Sequence, residues 1–372
     1  MFTRAKFRFL ISKGSDTTVE NADHSDSVIA AVCEANAGGT PLRIVGGDTK
    51  SFYGRQPVGA PLSVGLHRGV TYYDPAELVV SARAGTELSE LCRILADQKQ
   101  MLPFEPPGFG QGATVGGTVA CGFSGPARPY RGSLRDYVLG VSVVNGQGEH
   151  LQFGGRVIKN VAGYDASRLM AGALGSLGVM LEVSFKVLPM PEIECTIGFE
   201  TSERDALRFM NEAAAQPLPI TGSYFCDGML KLRLSGSKEG VSSATTELGG
   251  LVDSSASGFW TALVEHQHPY FSSPQPLWRL SVPATAGPLD LPGDSLIEWG
   301  GCQRWLRSEL PAEHIRESVS AAGGHATLFR GGDQSSETFQ PLSPVLHRLH
   351  LRLKQAFDPK GILNPGRLYP EL

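Results

Sequence analysis

The stretch that most constrains this chain of 372 residues is 106–140, PPGFGQGATVGGTVACGFSGPARPYRGSLRDYVLG. It is dense in glycine and holds no run of helical periodicity long enough for an amphipathic helix. Glycine costs backbone entropy, so such a density is typical of backbone that must approach another group closely. We expect that group to be a flat cofactor that carries phosphate.

Length and composition limit the class of protein. The chain is long enough for two domains, or for one domain with a large insertion. Hydrophobic residues make up 41% and charged residues 19%, as in globular proteins. The net charge of −4 is not that of a nucleic-acid-binding protein, which carries an excess of basic residues. The six cysteines form no C-x-x-C pair, which predicts reduced thiols and excludes an iron–sulfur cluster in this chain.

No targeting or membrane segment is predicted. The first 14 residues, MFTRAKFRFLISKG, have too short an apolar core for a signal peptide. The longest run of low charge, residues 169–181, is glycine-rich and too short to span a bilayer. We therefore expect a cytoplasmic protein.

The first 190 residues alternate short strands with glycine-rich turns. A buried strand at 42–45 runs directly into Gly46-Gly47-Asp48-Thr49-Lys50-Ser51. Such a turn aims successive backbone N–H groups at a phosphate, although the same residues suit an ordinary hairpin turn. The other elements predicted here are a helix capped by Ser25, strands at 62–66, 69–75 and 78–85, a helix from a Thr86 cap to 96, a hairpin of strands 137–144 and 150–153, a short helix at 166–173 and a strand at 179–187.

The pattern changes beyond Pro189 and Pro191. Strand, helix, strand, strand and helix then follow in the order that opens a ferredoxin-like layer. These elements are predicted at 194–200, 202–215, 219–226, 229–235 and 237–248. Further strands are predicted at 277–282, 295–299 and 326–330, with helices at 311–322 and 342–357 and a polar loop at 331–338.

Two familiar phosphate sites do not fit. Residues 112–117 have the glycine spacing of a P-loop, but Thr118 and Val119 stand where lysine would reach the outer phosphates. A Rossmann turn needs a preceding apolar strand, whereas prolines precede residues 110–116. What remains is a cofactor held by three separate glycine segments, at 46–51, 112–125 and 172–179.

These segments resemble a known family. VGGDTKSF, GATVGGTVACGFSG with RGSLRDYVLGV, GALGSLGVMLEVSFKVLP and DPKGILNPGR resemble, in order, the FAD domain of the vanillyl-alcohol oxidase superfamily. GGRVIKNVAGYDASRLMAGALGSLGV is similar to the FAD-binding E subunits of bacterial glycolate oxidase. The resemblance covers residues 27–190 and 342–372, and more weakly PLWRLSVP and EWGGCQRWL. It implies an α+β fold: a two-subdomain PCMH-type FAD-binding domain (1–190), a smaller ferredoxin-like α+β cap domain (191–341), and a tail (342–372) that returns to the first domain.

The resemblance also implies which residues hold FAD. Around the pyrophosphate it places Gly46, Gly47, Asp48, Thr49, Lys50 and Ser51. Beside the pyrophosphate and flavin it places Ala113, Thr114, Val115, Gly116, Gly117, Thr118, Gly122, Ser124 and Gly125. It brings Gly175, Gly178 and Val179 to the adenine–ribose end and Asn364 to the isoalloxazine. Relatives that bind FAD covalently through histidine carry it in the 46–51 turn, so Lys50 there predicts non-covalent FAD.

Oxidation of a 2-hydroxy acid needs a cationic anchor, a base and close approach to the flavin. The candidates are Arg279, Arg330, His325 and Gln303, with Trp278, Trp299 and Trp305 as walls. For each of them, a surface ion pair or a packed aromatic core is the alternative.

One departure from the family concerns catalysis. Related dehydrogenases carry H-x-G-x-G-N-x-H, and here GGHATLFRGGD keeps only His325. The resemblance then implies an FAD-binding subunit of a glycolate dehydrogenase that relays electrons from a catalytic, FAD-containing sister subunit to an iron–sulfur subunit, with membrane contact through that complex. A self-sufficient FAD-dependent 2-hydroxy-acid dehydrogenase and a flavin-free structural subunit stay open. No metal site is predicted at His347 and His350 or at His266 and His268, since no third ligand is visible near either pair. A hydrolase is not expected either, because the sequence lacks the G-x-S-x-G nucleophile elbow.

Overall fold

The computed structural model describes residues 21–156, 166–256, 258–333 and 338–372. The prediction for the first 14 residues lies outside these ranges, as does part of the 331–338 loop. The α-helices that it describes are α1 Ser25–Gly38, α2 Leu88–Asp97, α3 Val115–Cys121, α4 Arg128–Arg131, α5 Leu134–Tyr137, α6 Glu203–Ala214, α7 Lys238–Leu248, α8 Phe259–Val264, α9 Ala312–Ala321 and α10 Pro344–Phe357.

The strands form two large sheets and two small ones. The strands are β1 Leu42–Val45, β2 Ala60–Ser63, β3 Val70–Asp74, β4 Val79–Arg83, β5 Gln100–Met101, β6 Val138–Val144, β7 His150–Gly154, β8 Val179–Lys186, β9 Leu188–Pro189, β10 Ile193–Glu200, β11 Ile220–Cys226, β12 Met229–Gly236, β13 Leu251–Val252, β14 Leu277–Ser281, β15 Asp294–Glu298, β16 Gln303–Arg307 and β17 His325–Arg330.

The first half of the chain is built on a five-stranded antiparallel sheet. Its order is β3-β4-β8-β6-β7, and the predicted hairpin joins β6 to β7. Phe104, Leu91 and Phe185 are among the fully buried side chains of the core on this sheet. The strand predicted at 42–45 is confirmed as β1, which pairs with β2 in parallel. The glycine-rich turn 46–51 therefore leaves the end of a buried strand, as expected.

The glycine-rich stretch contains a helix that the periodicity did not predict. Thr114 caps α3, because its hydroxyl accepts a hydrogen bond from the N–H of Gly117 at 3.2 Å. Gly122 ends the helix in the left-handed conformation, with φ at 67°. At seven residues the helix is too short to show an amphipathic period, so the sequence pattern gave no signal for it.

Three other local predictions differ from the structure. Residue 24, not Ser25, is the N-cap of α1, and α2 is capped at Glu87. The Thr86 hydroxyl instead accepts the N–H of Gly69 at 2.9 Å. The short helix predicted at 166–173 is a single 3₁₀ turn, Ala166–Leu169.

The second half is an eight-stranded antiparallel sheet. Its order is β13-β10-β12-β11-β15-β16-β14-β17. The first four strands, with α6 and α7, have the ferredoxin-like arrangement that the sequence predicts. A second group of four strands continues the sheet where β11 pairs with β15. One face of this second group packs on α9 and the other faces the first half of the chain.

Strand β16 was not predicted, because its sequence, QRWLR, is too charged to indicate a buried strand. The structure buries Arg304 by giving its guanidinium the carbonyl oxygens of Gly301, Ala286 and Gly287. The tail returns to the first half, where Leu363 pairs with Leu42. The α+β class is confirmed, while domain boundaries at residues 190 and 341 stay a proposal. Among the described helices, none has the length and apolar character to cross a membrane.

Candidate functional site

A cleft of about 860 Å³ opens where β1, α3, the loop before β8 and the tail meet. Twelve of the residues predicted to hold FAD line it. They are Gly46, Gly47, Asp48, Thr49, Lys50, Ser51, Thr114, Gly116, Gly117, Gly175, Gly178 and Asn364. The structure therefore brings the three predicted glycine segments and the tail to one place.

The 46–51 turn presents a row of backbone N–H groups. The N–H groups of Gly47, Asp48, Thr49 and Lys50 donate to no protein acceptor in the part of the chain that the structure describes. Consecutive unpaired N–H groups form an anion-binding nest. This row fits a diphosphate, and it disfavours the ordinary hairpin turn.

Arg367 holds the opposite, carbonyl side of the same turn. Its Nη2 donates to the carbonyl oxygens of Lys50 and Ser51, both at 3.3 Å, and its Nη1 donates to that of Arg55 at 3.0 Å. Arg367 is buried, and burial lowers its pKa. Sequence reasoning missed this residue, although it stands in the NPGR segment that carried the resemblance.

Two glycines of the turn have no space for a side chain. A Cβ atom on Gly47 would overlap the carbonyl oxygen of Gly112, and one on Gly46 would overlap the hydroxyl of Thr114. Glycine is thus required here for close backbone packing of the turn against the start of α3. The same packing fixes the direction of the free N–H groups.

The start of α3 contributes differently from what the resemblance implies. Its first N–H groups are already used: Val115 donates to Thr86 O, Gly116 to Ala84 O and Gly117 to the Thr114 hydroxyl. Gly116 and Gly117 therefore offer bare surface to the cleft, not hydrogen-bond donors. Three predicted residues of this segment lie outside the lining, namely Ala113, Val115 and Thr118.

Four further predicted residues are also absent from the cleft lining. A Cβ on Gly122 would come within 2.9 Å of the N of Gly172, so this glycine serves packing. Val179 is buried in β8. Ser124 and Gly125 line a second cavity instead. The Ser124 hydroxyl accepts the N–H of Leu134 at 3.0 Å.

Lys50 brings a positive charge to the cleft. It is buried, its Nζ donates to the carbonyl oxygen of Gly108 at 3.1 Å, and burial lowers its pKa. The carboxylate of Glu265 accepts the N–H groups of Gly108 and Phe109 at 2.8 and 2.7 Å. The loop at 108–109 is thereby fixed from both sides. It forms the wall between the cleft and the second cavity, which Phe109 lines.

The second cavity lies between this wall and the eight-stranded sheet. Two of the four candidate catalytic residues, Arg279 and Gln303, line it. Its other polar side chains are Ser124, Glu298 and His266. Its aromatic walls include Phe109, Phe123, Trp305 and Phe329. Sequence reasoning missed Glu298, which begins the EWGGCQRWL segment.

The sheet register places the polar groups side by side. Arg279 on β14 lies opposite Trp305 on β16, and Glu298 on β15 lies opposite Gln303 on β16. Oε2 of Glu298 accepts from Trp305 Nε1 at 2.6 Å and from Gln303 Nε2 at 3.1 Å. Burial raises the pKa of Glu298 to about 7 despite these two hydrogen bonds.

His266 occupies the wall as a neutral ring. It stacks on Phe271 at 3.8 Å, and the edge of Trp305 lies 4.8 Å away. Burial and the nearby charges of Arg330 and Arg279 hold its pKa well below the usual value. Its Nδ1 is buried without a partner among the described residues.

Arg330 and His325 do not line the second cavity. Arg330 lies over the rings of Phe52 and Phe109, at 4.3 and 5.5 Å. His325 is exposed at the start of β17, opposite Ser281.

Of the three tryptophans predicted to form walls of the substrate site, only Trp305 lines the cavity. Trp299 donates to Gly125 O at 3.0 Å, and Trp278 packs on the far face of the sheet. His347 pairs with Glu371 at 3.7 Å, and His268 Nδ1 accepts the N–H of Tyr270. No group of three metal-ligating side chains occurs among the described residues.

Comparisons with known proteins agree with this geometry. Residues 18–154 match the family described as FAD binding domain, and residues 331–368 match the C-terminal domain of FAD linked oxidases. The glycolate oxidase subunit GlcE of Escherichia coli (strain K12) is 48% identical over 354 residues, which cover 95% of this chain and 100% of that protein. A D-lactate dehydrogenase of Anaerostipes hadrus is 30% identical over 218 residues, 56% of this chain and 45% of that enzyme.

A solved structure shares the fold. An alkyldihydroxyacetonephosphate synthase superposes with a TM-score of 0.64 at 16% identity, covering 93% of this chain and 76% of that one. The predicted fold, a PCMH-type FAD-binding domain with an α+β cap, is confirmed. At this identity the likeness concerns the fold alone.

Proposed function

Because the chain belongs to the family of the glycolate oxidase subunit GlcE, we propose that it is the FAD-binding redox subunit of a multi-subunit glycolate dehydrogenase, which converts glycolate to glyoxylate. The observation that carries this proposal is the row of unpaired N–H groups at residues 47–50 in the cleft. Such a row of donors matches the diphosphate oxygens of FAD.

The residues of the cleft fit FAD. The 46–51 turn would hold the diphosphate, with Lys50 and Arg367 as cations that line the cleft. Arg367 also supports the turn through its hydrogen bonds to the carbonyl oxygens of Lys50 and Ser51. Gly175 and Gly178 would border the rest of the cofactor through bare backbone surface. We propose non-covalent binding, since the turn carries Lys50 where covalently linked relatives carry histidine. When bound, FAD supplies a two-electron acceptor that can pass electrons on singly.

Partners follow from the same family membership. The relative in Escherichia coli is named as a subunit, which supports an assembly. We propose that the partners are a sister FAD-containing subunit and an iron–sulfur subunit that receives the electrons, and that any contact with the inner face of the plasma membrane runs through this complex.

The second cavity favours a further candidate function, oxidation of a small 2-hydroxy acid by this chain itself. The observation behind it is that Arg279, Glu298 and Gln303 meet in an aromatic-walled cavity. We propose that Arg279 anchors the substrate carboxylate, since a guanidinium can form two parallel hydrogen bonds to it. Gln303 holds Glu298 in place. We propose that Arg330 and His325 support the site from outside the cavity lining: the charge of Arg330 helps to lower the pKa of His266, and His325 lies within the electrostatic reach of Arg279.

One purification tests these proposals. The chain expressed alone should be yellow, with the visible spectrum of oxidised flavin. Glycolate is then added without oxygen, before and after the sister subunit is supplied. Bleaching only with the sister subunit supports the relay role, and bleaching of the chain alone supports the second candidate. A colourless protein that FAD cannot reconstitute would contradict both and leave the flavin-free structural subunit.

A further inference from the structure

The carboxylate of Glu298 has one occupied and one free oxygen. Both of its hydrogen bonds, from Trp305 and Gln303, go to Oε2. Oε1 makes no hydrogen bond within the described residues, and Glu298 lines the second cavity with a relative exposure of 5%. Because Oε1 has no donor from the protein and Glu298 lines the cavity, this oxygen can accept a hydrogen bond from a ligand there.

We propose that Glu298 is the catalytic base of the second cavity, where its Oε1 accepts the hydroxyl proton of a 2-hydroxy acid whose carboxylate is held by Arg279. This inference rests on the second candidate function proposed above. The step is a proton transfer: the O–H bond of the substrate breaks, an O–H bond forms at Oε1, and no electron moves in it. Removal of the carbon-bound hydrogen with its electron pair belongs to the FAD chemistry already named.

The geometry of the sheet suits this division of roles. Glu298 and Arg279 lie on β15 and β14, with β16 between them. Their strands lie two strand spacings, about 10 Å, apart. Glu298 is also offset by two residues along the sheet, because Arg279 and Leu296 both lie opposite Trp305. Both side chains nevertheless line the same cavity. The proposed substrate, with a carboxylate and a hydroxyl on adjacent carbon atoms, would bridge these two side chains.

The charged and titratable groups around Glu298 favour a base over a fixed ion pair. Glu105, from the first half of the chain, adds to the effect of burial in raising its pKa. Glu105 itself pairs with Arg233 at 2.6 Å. Tyr224 lies opposite Glu298 on β11 and has a raised pKa. Arg279 lines the same cavity without pairing with Glu298.

His266 is the other candidate base of the cavity, and it is less suited to that role. The positive charges of Arg330 and Arg279, together with burial, hold its pKa well below neutral. A base works best when its pKa lies near the working pH, which the value of about 7 for Glu298 satisfies.

The test compares Glu298→Gln with Glu309→Gln, which changes an exposed glutamate in the loop after β16. The readouts use the FAD-loaded protein and include binding of 2-hydroxy-2-methylpropanoate, which has no carbon-bound hydrogen to lose. Glu298→Gln should keep this binding within about threefold, and should lower the rate of anaerobic flavin reduction by glycolate at least about 100-fold. The acidic limb of the rate profile near pH 7 should disappear, together with the infrared band of a carboxyl that titrates there.

A rate and a pH profile unchanged in Glu298→Gln would overturn the assignment of Glu298. Arg279→Gln tests the underlying proposal separately, because it should abolish binding of the unreactive acid. Unchanged binding in Arg279→Gln would show that the substrate site lies elsewhere. If Glu298→Gln does not fold, Glu298→Asp keeps the charge and should lower the rate while retaining the acidic limb.

Discussion

Asn364 donates a hydrogen bond from its Nδ2 to the carbonyl oxygen of Leu174 at 2.7 Å, while its Oδ1 accepts the N–H of Ile44 at 2.8 Å. One buried amide thus joins β1, the loop before β8 and the tail at the edge of the cleft. A backbone φ of 43° places Asn364 in the left-handed region, where asparagine is tolerated better than most residues. These two hydrogen bonds position the edge of the cleft, and the predicted contact of Asn364 with the isoalloxazine stays a prediction.

Replacement of Asn364 by alanine should destabilise the protein and weaken FAD binding. Two buried backbone groups lose their partner, at about 1–3 kcal/mol for each such group. Asn364→Asp keeps an acceptor for the N–H of Ile44 and is also tolerated in left-handed backbone. It should therefore lose less stability and less FAD affinity than Asn364→Ala. Urea unfolding and fluorescence titration of FAD measure both effects, and equal losses in the two variants would contradict this account.

Gly47→Ala should abolish FAD binding, because the added methyl group overlaps the carbonyl oxygen of Gly112 and displaces the turn that carries the free N–H groups. Gly287→Ala is the matched control, since a Cβ there meets open space. Absorbance of the purified variants reports bound flavin. Normal flavin content in Gly47→Ala would show that the turn does not hold the diphosphate.

Arg367→Lys should weaken the binding of FAD at least about tenfold, which corresponds to a loss of about 1.4 kcal/mol in binding free energy. Lysine keeps the charge but cannot reproduce hydrogen bonds to the carbonyl oxygens of Lys50, Ser51 and Arg55 at once. Arg93→Lys changes an exposed pair on α2 and should leave binding unaltered. If a change in charge alone governed binding, Arg367→Lys would behave like the native protein.

The pH dependence of stability should carry the signature of Glu298. Its pKa is raised from 4.5 to about 7 in the folded protein, so the unfolded chain releases this proton first as pH rises. Stability therefore falls between pH 4.5 and about 7, by about 3 kcal/mol for a shift of this size. In Glu298→Gln that fall should be absent. Denaturant unfolding at pH 5 and pH 8, within the reversible range, gives the difference between the two proteins.

Glu265→Ala should loosen the wall between the cleft and the second cavity. Its carboxylate accepts the N–H groups of Gly108 and Phe109, and such charge-assisted bonds contribute about 1.5–3 kcal/mol. We expect faster hydrogen exchange at these two amides and weaker FAD binding through Lys50, which holds Gly108 O. Glu247→Ala, at the end of α7, provides the control. Unchanged exchange at residues 108 and 109 would rule out this role.

The sequence predicts the parts of this structure that depend on local pattern. Strand β1, the turn 46–51 and the ferredoxin-like order are of that kind. Helix α3 was missed because it shows no amphipathic periodicity in the sequence. It begins at a local hydrogen bond, from the N–H of Gly117 to the capping hydroxyl of Thr114. Arg367 and Glu298 were missed because their importance depends on partners far away in the chain, which no local pattern shows. The second cavity is likewise formed by the two halves together.

The return of the tail to β1 has a consequence for biosynthesis. The cleft needs Asn364 and Arg367, and Arg367 follows Lys50 by 317 residues. A nascent chain can therefore fold its five-stranded sheet early, domain by domain, but it has no complete cofactor site until Asn364 and Arg367 have been added. Loading with FAD follows the synthesis of both residues, and a chain that lacks them would be left without flavin.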